Sequence, residues 1–274
     1  MLYSLSEWRP GLSSGVVLPK SESVSLKQHL RTTDVARAAD VHPNTVRLYE
    51  AWGFLGSVPR GRNGYRLFSE AHLDQMVLAR IALRWPYPGG NQRVVALVKR
   101  AAGGDLSGAL ALAHEYLACV QAEIARAEAA ADLLEHWAHG LPADAGSSRR
   151  LPIRRAARLL GSTPDALRNW ERNGLIRVPR DPKSGYRAYG AAEMARLRII
   201  RTLRLAGYSM MAILRMMRSL DQGRHADLRQ VLDTPGSEED AAYVTDRWLS
   251  TLREQEQRAR AVIAQLEAMI RKSS

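Results

Sequence analysis

Two stretches of the chain place small or apolar residues at alternating steps of three and four. Over 106–139 they fall at Leu110, Ala113, Leu117, Val120, Ile124, Ala127, Ala131 and Leu134. Near the C-terminus the same spacing runs through Thr245, Trp248, Leu252, Gln255, Ala259, Val262, Leu266 and Met269. This is a heptad seam. It predicts two long α-helices of about 34 residues each, roughly 50 Å at ~1.5 Å per residue. A lone helix of that length would expose its stripe, so each needs a partner.

Ahead of each long helix the periodicity is shorter, and it is written twice. Val35-Ala36-Arg37, Arg47, Tyr49-Glu50, Gly53 and Gly64-Tyr65-Arg66 return as Ala156-Ala157-Arg158, Arg168, Trp170-Glu171, Gly174 and Gly185-Tyr186-Arg187, at a shift of 121 positions. A repeat of this kind sets the architecture before any single motif does. In each copy a short helix (34–39 in the first, with Val35, Ala36 and Ala39 at core spacing) is followed by a tight turn. The turn is Asp40-Val41-His42 in one copy and Gly161-Ser162-Thr163 in the other. Pro43 and Pro164 then open a second helix, with Thr163 as an N-cap; proline suits the first helical position because its missing N–H has no partner there. Helix, short turn, helix is the helix-turn-helix shape. On its second helix Val46, Tyr49 and Glu50 cannot share one face with Asn44, Arg47 and Leu48, so one side packs and the other is offered outward.

Gly53 and Gly174 stop these helices, and a basic stretch follows each: 58–66 with a turn at Asn63-Gly64, and 178–187 with a turn at Ser184-Gly185. Each reads as a short hairpin. Taken singly, such a hairpin is equally an ordinary surface loop; its recurrence in the same place makes it a wing suited to gripping phosphates. Amphipathic helices over 69–84 (Ser69 as N-cap) and 191–205 close each module. The turns 85–90 and 207–209 then lead to helices over 92–100 and 210–220. Met210, Met211, Met216 and Met217 read as core filling.

The resulting organisation is a 1–30 N-terminal arm with no assigned role, a first winged helix-turn-helix domain over 31–104, and a long helix over 105–140. A linker over 141–150, a second such domain over 151–221, a connector over 222–238 and a C-terminal coiled-coil helix over 239–274 follow. The fold class is mainly α, with the two long helices pairing antiparallel.

Charge sharpens this picture. The 274 residues carry a formal charge of +12 with a pI near 10.3, a balance that points to a polyanionic partner, nucleic acid before membrane. The excess is segregated: 149–220 holds 17 Lys/Arg against Asp165, Glu171, Asp181 and Glu193, whereas 106–140 holds Arg126 alone against five acids. The single Cys119 excludes a disulfide framework and a multi-thiolate metal site within one chain; it lies beside the first seam and reads as a small buried residue. His136 and His139 share a helix face without acidic or thiolate partners and read as surface residues. No apolar run is long enough to span a membrane, and residues 1–14 lack the basic leader and apolar core of a secretory signal. A cytoplasmic location is expected. No phosphate-cradling glycine motif or nucleophile–base arrangement is present, so no enzyme is expected.

Each module resembles the DNA-binding domain of the MerR family of bacterial transcription regulators. The residues that carry the resemblance are Thr45-Val46-Arg47-Leu48-Tyr49-Glu50, Gly53-Phe54-Leu55 and Gly64-Tyr65-Arg66-Leu67-Phe68. In the second copy they are Ala166-Leu167-Arg168-Asn169-Trp170-Glu171, Gly174-Leu175-Ile176 and Gly185-Tyr186-Arg187-Ala188-Tyr189. Leu48, Asn169 and Trp170 depart from the tyrosines usual in this motif, which implies that the two modules read different half-sites. The resemblance implies DNA contacts from Asn44, Arg47, Arg168 and Asn169 on the recognition helices and from Tyr65, Arg66, Tyr186 and Arg187 in the wings. Tyr49, Arg62, Tyr87, Arg180, Lys183 and Tyr208 are further candidates. Arginine forks onto guanine edges or phosphates, and tyrosine hydroxyls fix register on the backbone. Family members that sense metals use cysteines near the end of the long helix, and this chain has none there; no cofactor is expected, and none of the chain is left over for an effector domain.

The partners so implied are double-stranded promoter DNA and the RNA polymerase holoenzyme. The function is that of a sequence-specific regulator that distorts promoter spacer DNA, as an activator or a repressor. Two alternatives remain open at this stage: an architectural or recombination accessory protein, and a docking platform for another protein. A family dimer pairs one long helix per subunit, whereas this chain owns two, so one chain imitates a dimer, or a homodimer carries four modules.

Overall fold

In a computed structural model of the chain, residues 29–84, 87, 90–138, 150–223, 227–234 and 247–273 are described. They form eleven helices and no extended strand, only isolated antiparallel bridges. Residues 1–28 of the N-terminal arm, the 141–149 part of the linker, His139 and Thr245 lie outside the described residues.

The chain divides into two compact units, Met1–Val120 with Glu254–Ser274, and Gln121–Arg253. The first contains α1 (Thr32–Ala38), α2 (Pro43–Ala51), α3 (Glu70–Ala82), α4 (Gln92–Ala102), the start of α5 (Leu106–Ala138) and most of α11 (Trp248–Ser273). The second contains the remainder of α5, then α6 (Ile153–Leu159), α7 (Pro164–Arg172), α8 (Ala191–Leu205), α9 (Met210–Asp221), α10 (Leu228–Asp233) and the start of α11. The connector therefore carries a helix of its own, α10, which its sparse periodicity did not announce.

Local chemistry explains the helix starts. His42 caps α2 through Nδ1, which accepts from the Asn44 amide at 3.2 Å. Thr163 Oγ1 caps α7, accepting from the Ala166 amide at 3.1 Å, and Ser69 caps α3. Each satisfies an N–H that the helix itself leaves unpaired. The turn between the first two helices has a positive φ in both modules, 51° at Asp40 and 54° at Gly161. Glycine adopts this left-handed region freely, and aspartate is among the few other residues that tolerate it.

The seam of α11 is buried as its spacing predicts: Trp248, Leu252, Gln255, Ala259, Val262, Leu266 and Met269 are all interior. Along α5 the stripe is shifted. Ala109 and Tyr116 are buried where Leu110 and Leu117 are only half-buried, while Ala113, Val120, Ala127, Ala131 and Leu134 follow the seam. The two helices touch in both units. In the first, the Tyr116 hydroxyl donates to Gln255 Oε1 at 3.0 Å; in the second, Arg253 Nη2 meets Glu128 Oε1 at 3.1 Å. The charge match is narrower than net charge implied, because Asp132 and Glu135 turn instead to Arg229 of α10.

Each module is also tied to α11 at the end of its third helix. In the first unit the Arg258 guanidinium donates to the Arg84 carbonyl. In the second the Trp248 indole donates to the Ala206 carbonyl at 2.7 Å. Gly207 leaves room for this contact: a Cβ there would fall 2.6 Å from the Trp248 ring. Met216 and Met217 belong to the core as expected, but Met211 is exposed. Cys119 is half-buried rather than buried, and Arg93 Nη1 donates to its Sγ at 3.2 Å.

Candidate nucleic-acid interface

Helix α2 buries Val46 and Tyr49 and presents Asn44 and Arg47; α7 buries Leu167 and Trp170 and presents Arg168 and Asn169. On both, a short polar residue at the first turn steadies the arginine three positions on. Arg47 Nη1 donates to Asn44 Oδ1 at 3.1 Å, and Arg168 Nη1 to Asp165 Oδ1 at 2.5 Å. An i,i+3 pair stands on one helix face, so each arginine is held up on the outward side rather than folded against the module. The two faces are not chemically equal: one couples its arginine to a neutral amide, the other to a carboxylate.

The wings are tight hairpins closed by single bridges, Arg60 with Arg66 and Arg180 with Arg187. Gly64 and Gly185 turn the chain with φ of 78° and 70°, and Arg60 and Arg180 each donate from Nη1 to the carbonyl of that glycine, at 3.3 and 3.2 Å. Arg180, expected on DNA, thus braces its own wing, as does Arg60, which the sequence reading passed over. The structural pairing of Arg60 with Arg180 also shows that the second wing is one residue longer, which the single shift of 121 had concealed. The extra length is organised by Asp181. Its carboxylate accepts from the Ser184 amide at 2.8 Å, the Ser184 hydroxyl at 2.9 Å and the Lys183 amide at 3.0 Å. Those bonds, the Ser184 amide foremost, hold the carboxyl below its usual range.

Arg66 and Arg187 have a different place from the one expected of them. Their Nε atoms lie 2.5 Å from Glu50 Oε2 and Glu171 Oε2. Both pairs are partly shielded from solvent, and both join the wing to the last turn of the recognition helix. They clamp the two parts of the surface together through Nε. Glu50 and Glu171, which hold these arginines, stand 16 positions ahead of Arg66 and Arg187 in both copies of the repeat, a regularity from which the pairing could have been found.

The tyrosines divide sharply. Tyr65 and Tyr186, at the wing tips, are 71% and 77% exposed, beside exposed Arg62 and Lys183. Tyr49 is interior, its ring edge-on to Phe54 with centroids 5.5 Å apart, and burial pushes its hydroxyl pKa up to about 12. Tyr208 is interior as well: its hydroxyl donates to the Ala127 carbonyl at 3.2 Å and its pKa is raised by burial. Neither hydroxyl is offered to a phosphate, because each ring fills its module's core. Tyr87 is half-buried beside Tyr49, Arg258 and Tyr116, and its pKa too is raised by burial. Asn44, Arg47, Arg62, Tyr65, Arg168, Asn169, Arg180, Lys183 and Tyr186 therefore form the exposed part of the expected set.

An outward-facing second helix joined to a braced basic wing, built twice, defines a winged helix-turn-helix protein, the class whose second helix enters the major groove. The family described as MerR HTH family regulatory protein matches residues 30–84 and again 151–220, and the chain belongs to this MerR family of DNA-binding transcription regulators. Over 120 residues it is 30% identical to a Haemophilus influenzae protein named "Probable heavy metal-dependent transcriptional regulator", covering 44% of this chain and 80% of that one. Over 71 residues it is 31% identical to the "Mercuric resistance operon regulatory protein" of Shigella flexneri and, likewise, of Serratia marcescens, covering 26% of this chain and 49% of each of those. No solved structure matches the chain. Among the described residues no helix is long and apolar enough to cross a membrane, and no cluster of His, Cys, Asp and Glu could hold a metal ion.

Proposed function

We propose that one chain supplies both reading modules to one imperfectly symmetric operator within a promoter, and that binding distorts the spacer DNA and so controls RNA polymerase. The observation that carries this reading is the doubled surface: in both modules a recognition-helix arginine and an exposed wing tyrosine are held in one frame by a glutamate–arginine clamp. A rigid frame of this kind sets the distance between a groove contact and a backbone contact, which is what register on a duplex demands. Distorting the DNA between contacts would add discrimination at base pairs the protein never touches.

The names of the relatives concern heavy metal and mercury. A soft metal ion calls for several thiolates, and this sequence holds one cysteine. The reading therefore takes regulation of transcription from these relatives and not their metal. A nuclease footprint on the DNA upstream of the protein's own gene tests it. One compact protected site over a promoter spacer, with hypersensitive central bases, is the expected result; protection spread without regard to promoters would assign the modules to an architectural protein instead.

A further inference from the structure

The second module carries a groove with no counterpart in the sequence of the first. It lies between the end of α6 and the outer face of α8, has a volume of about 380 Å³, and is lined by Leu159, Leu160, Gly161, Arg198, Arg201 and Thr202. Two features set it apart from an ordinary surface dip. Leu159 on its rim is 65% exposed, and Leu205, one helical turn beyond Arg201 on the same face of α8, is 64% exposed. Bare leucines on a basic surface, one on the rim of the groove and one a turn beyond it on α8, suit a contact face. Moreover, among the described residues Arg198 and Arg201 have no acidic partner, whereas their neighbour Arg196 forks onto Asp221 at 2.6 and 2.9 Å and Arg204 donates to the Tyr208 carbonyl.

The first module is the internal control. At the positions of Leu159, Gly161, Arg198 and Leu205 it has Ala38, Asp40, Val77 and Arg84. Arg201 is matched by Arg80, but there Nη2 is held by Asp40 Oδ2 at 2.8 Å. The second module lacks the acid that would neutralise its arginine, has leucines where the first has Ala38 and Arg84, and carries Arg198 in place of Val77, so it exchanges one cation for another and gains apolar surface. The turn takes the same left-handed conformation at this position in both, with φ of 51° at Asp40 and 54° at Gly161.

We propose that this groove docks an acidic peptide segment of a partner protein, one that seats an apolar side chain against Leu159 and Leu160 while carboxylates meet Arg198 and Arg201. The unpaired arginines ask for negative charge, and the exposed leucines distinguish a peptide from DNA, whose backbone offers phosphates but no apolar side chain to cover them. The groove is lined by the end of α6, the turn that follows it and α8, and by no residue of α7 or of the wing, so the same module can read DNA and hold the partner.

The test uses the full chain and a displayed library of random peptides, selected on the wild-type protein and counter-selected on Gly161→Asp. That substitution transplants the first module's own ion pair onto Arg201 at a backbone angle aspartate already adopts in this protein. The expected result is a consensus with Leu or Phe flanked by Asp or Glu. Synthetic peptides of that consensus should bind the wild type and bind Gly161→Asp and Leu159→Ser about tenfold more weakly or worse, with thermal melting and operator DNA affinity unchanged. Failure to enrich any sequence, or peptides that bind all three proteins equally, would overturn the proposal. So would a fall in operator affinity in the two variants, which would give the groove to the phosphates. A footprint that fails while the peptides bind would sink the promoter reading and leave this one standing.

Discussion

Single side chains in the second unit show where its stability is incomplete. Tyr189 is fully buried and its hydroxyl has no hydrogen-bond partner among the described residues. The same position of the first module is Phe68, equally buried. A buried unsatisfied hydroxyl costs about 1–3 kcal/mol. Tyr189→Phe should therefore leave melting of the protein unchanged or raise it, whereas Tyr208→Phe, which gives up the bond to Ala127, should lower it. A clear loss on Tyr189→Phe would mean that the hydroxyl has a partner after all. Arg196 behaves differently. It joins α8 to Asp221 at the end of α9 and to the Leu175 carbonyl, and the hydrogen bond from Arg196 holds the Asp221 carboxyl below its usual range. A folded pKa below the unfolded one stabilises above the unfolded value and loses that contribution as pH falls through the folded one. Asp221→Asn should hence cost about 0.5–1 kcal/mol at neutral pH, the exposed carboxylate being partly screened. The gap between wild type and variant in denaturant titrations should close as pH drops below the ordinary carboxylate range.

Between elements, two kinds of pairing decide how the parts are held, and they differ in how legible they are. The seam of α11 can be read from spacing alone, because a period of three and four fixes a face whatever the partner. The seam of α5 is read only approximately. Leu110 and Leu117 fit the heptad, but Ala109 and Tyr116 take the inner places, since the stripe is wide and the partner's Gln255 draws in a hydroxyl. Gln255→Leu should cost about 1–3 kcal/mol by leaving the Tyr116 hydroxyl without that acceptor, and adding Tyr116→Phe should recover most of it; additive losses in the double variant would show that the two residues do not interact. The wing clamp has the opposite character: every residue of it was in the repeat, and its meaning was not. Arginine in a wing reads as a phosphate contact from composition, and nothing in linear order says that Glu50 or Glu171 reaches it first. Buried Tyr49 and Tyr208 were misplaced for the same reason, since a tyrosine in a basic motif looks alike whether its ring fills the core or its hydroxyl meets a phosphate. Releasing the clamp by Glu171→Ala should leave Arg187 charged and free, yet weaken operator binding about tenfold because the wing is no longer preorganised. Tighter binding in a filter or anisotropy titration would return Arg187 to the role of a simple phosphate contact.

At the scale of the whole molecule, the question is whether one chain does what two identical subunits would otherwise do. The doubled module, the contact of α5 with α11 within each unit and the divergence of the two reading faces bear on it together. In a homodimer both half-sites meet the same residues, so the operator is symmetric by construction. Here one face couples Arg47 to Asn44 and the other couples Arg168 to Asp165, and a carboxylate beside the arginine repels phosphate and favours a base edge that can donate. If one chain occupies one operator, the complex has the mass of a single chain plus the duplex. Arg47→Ala should then relax sequence preference in one half of the site by about 1–3 kcal/mol, Arg168→Ala in the other, and each should lower the salt dependence only as far as phosphate contacts are lost. Two chains per duplex in sedimentation, with either substitution relaxing both halves alike, would establish a four-module homodimer and discard the single-chain reading. Divergent faces in that arrangement would have to serve two operators at once, which is the outcome the asymmetry of Asn44 and Asp165 argues against.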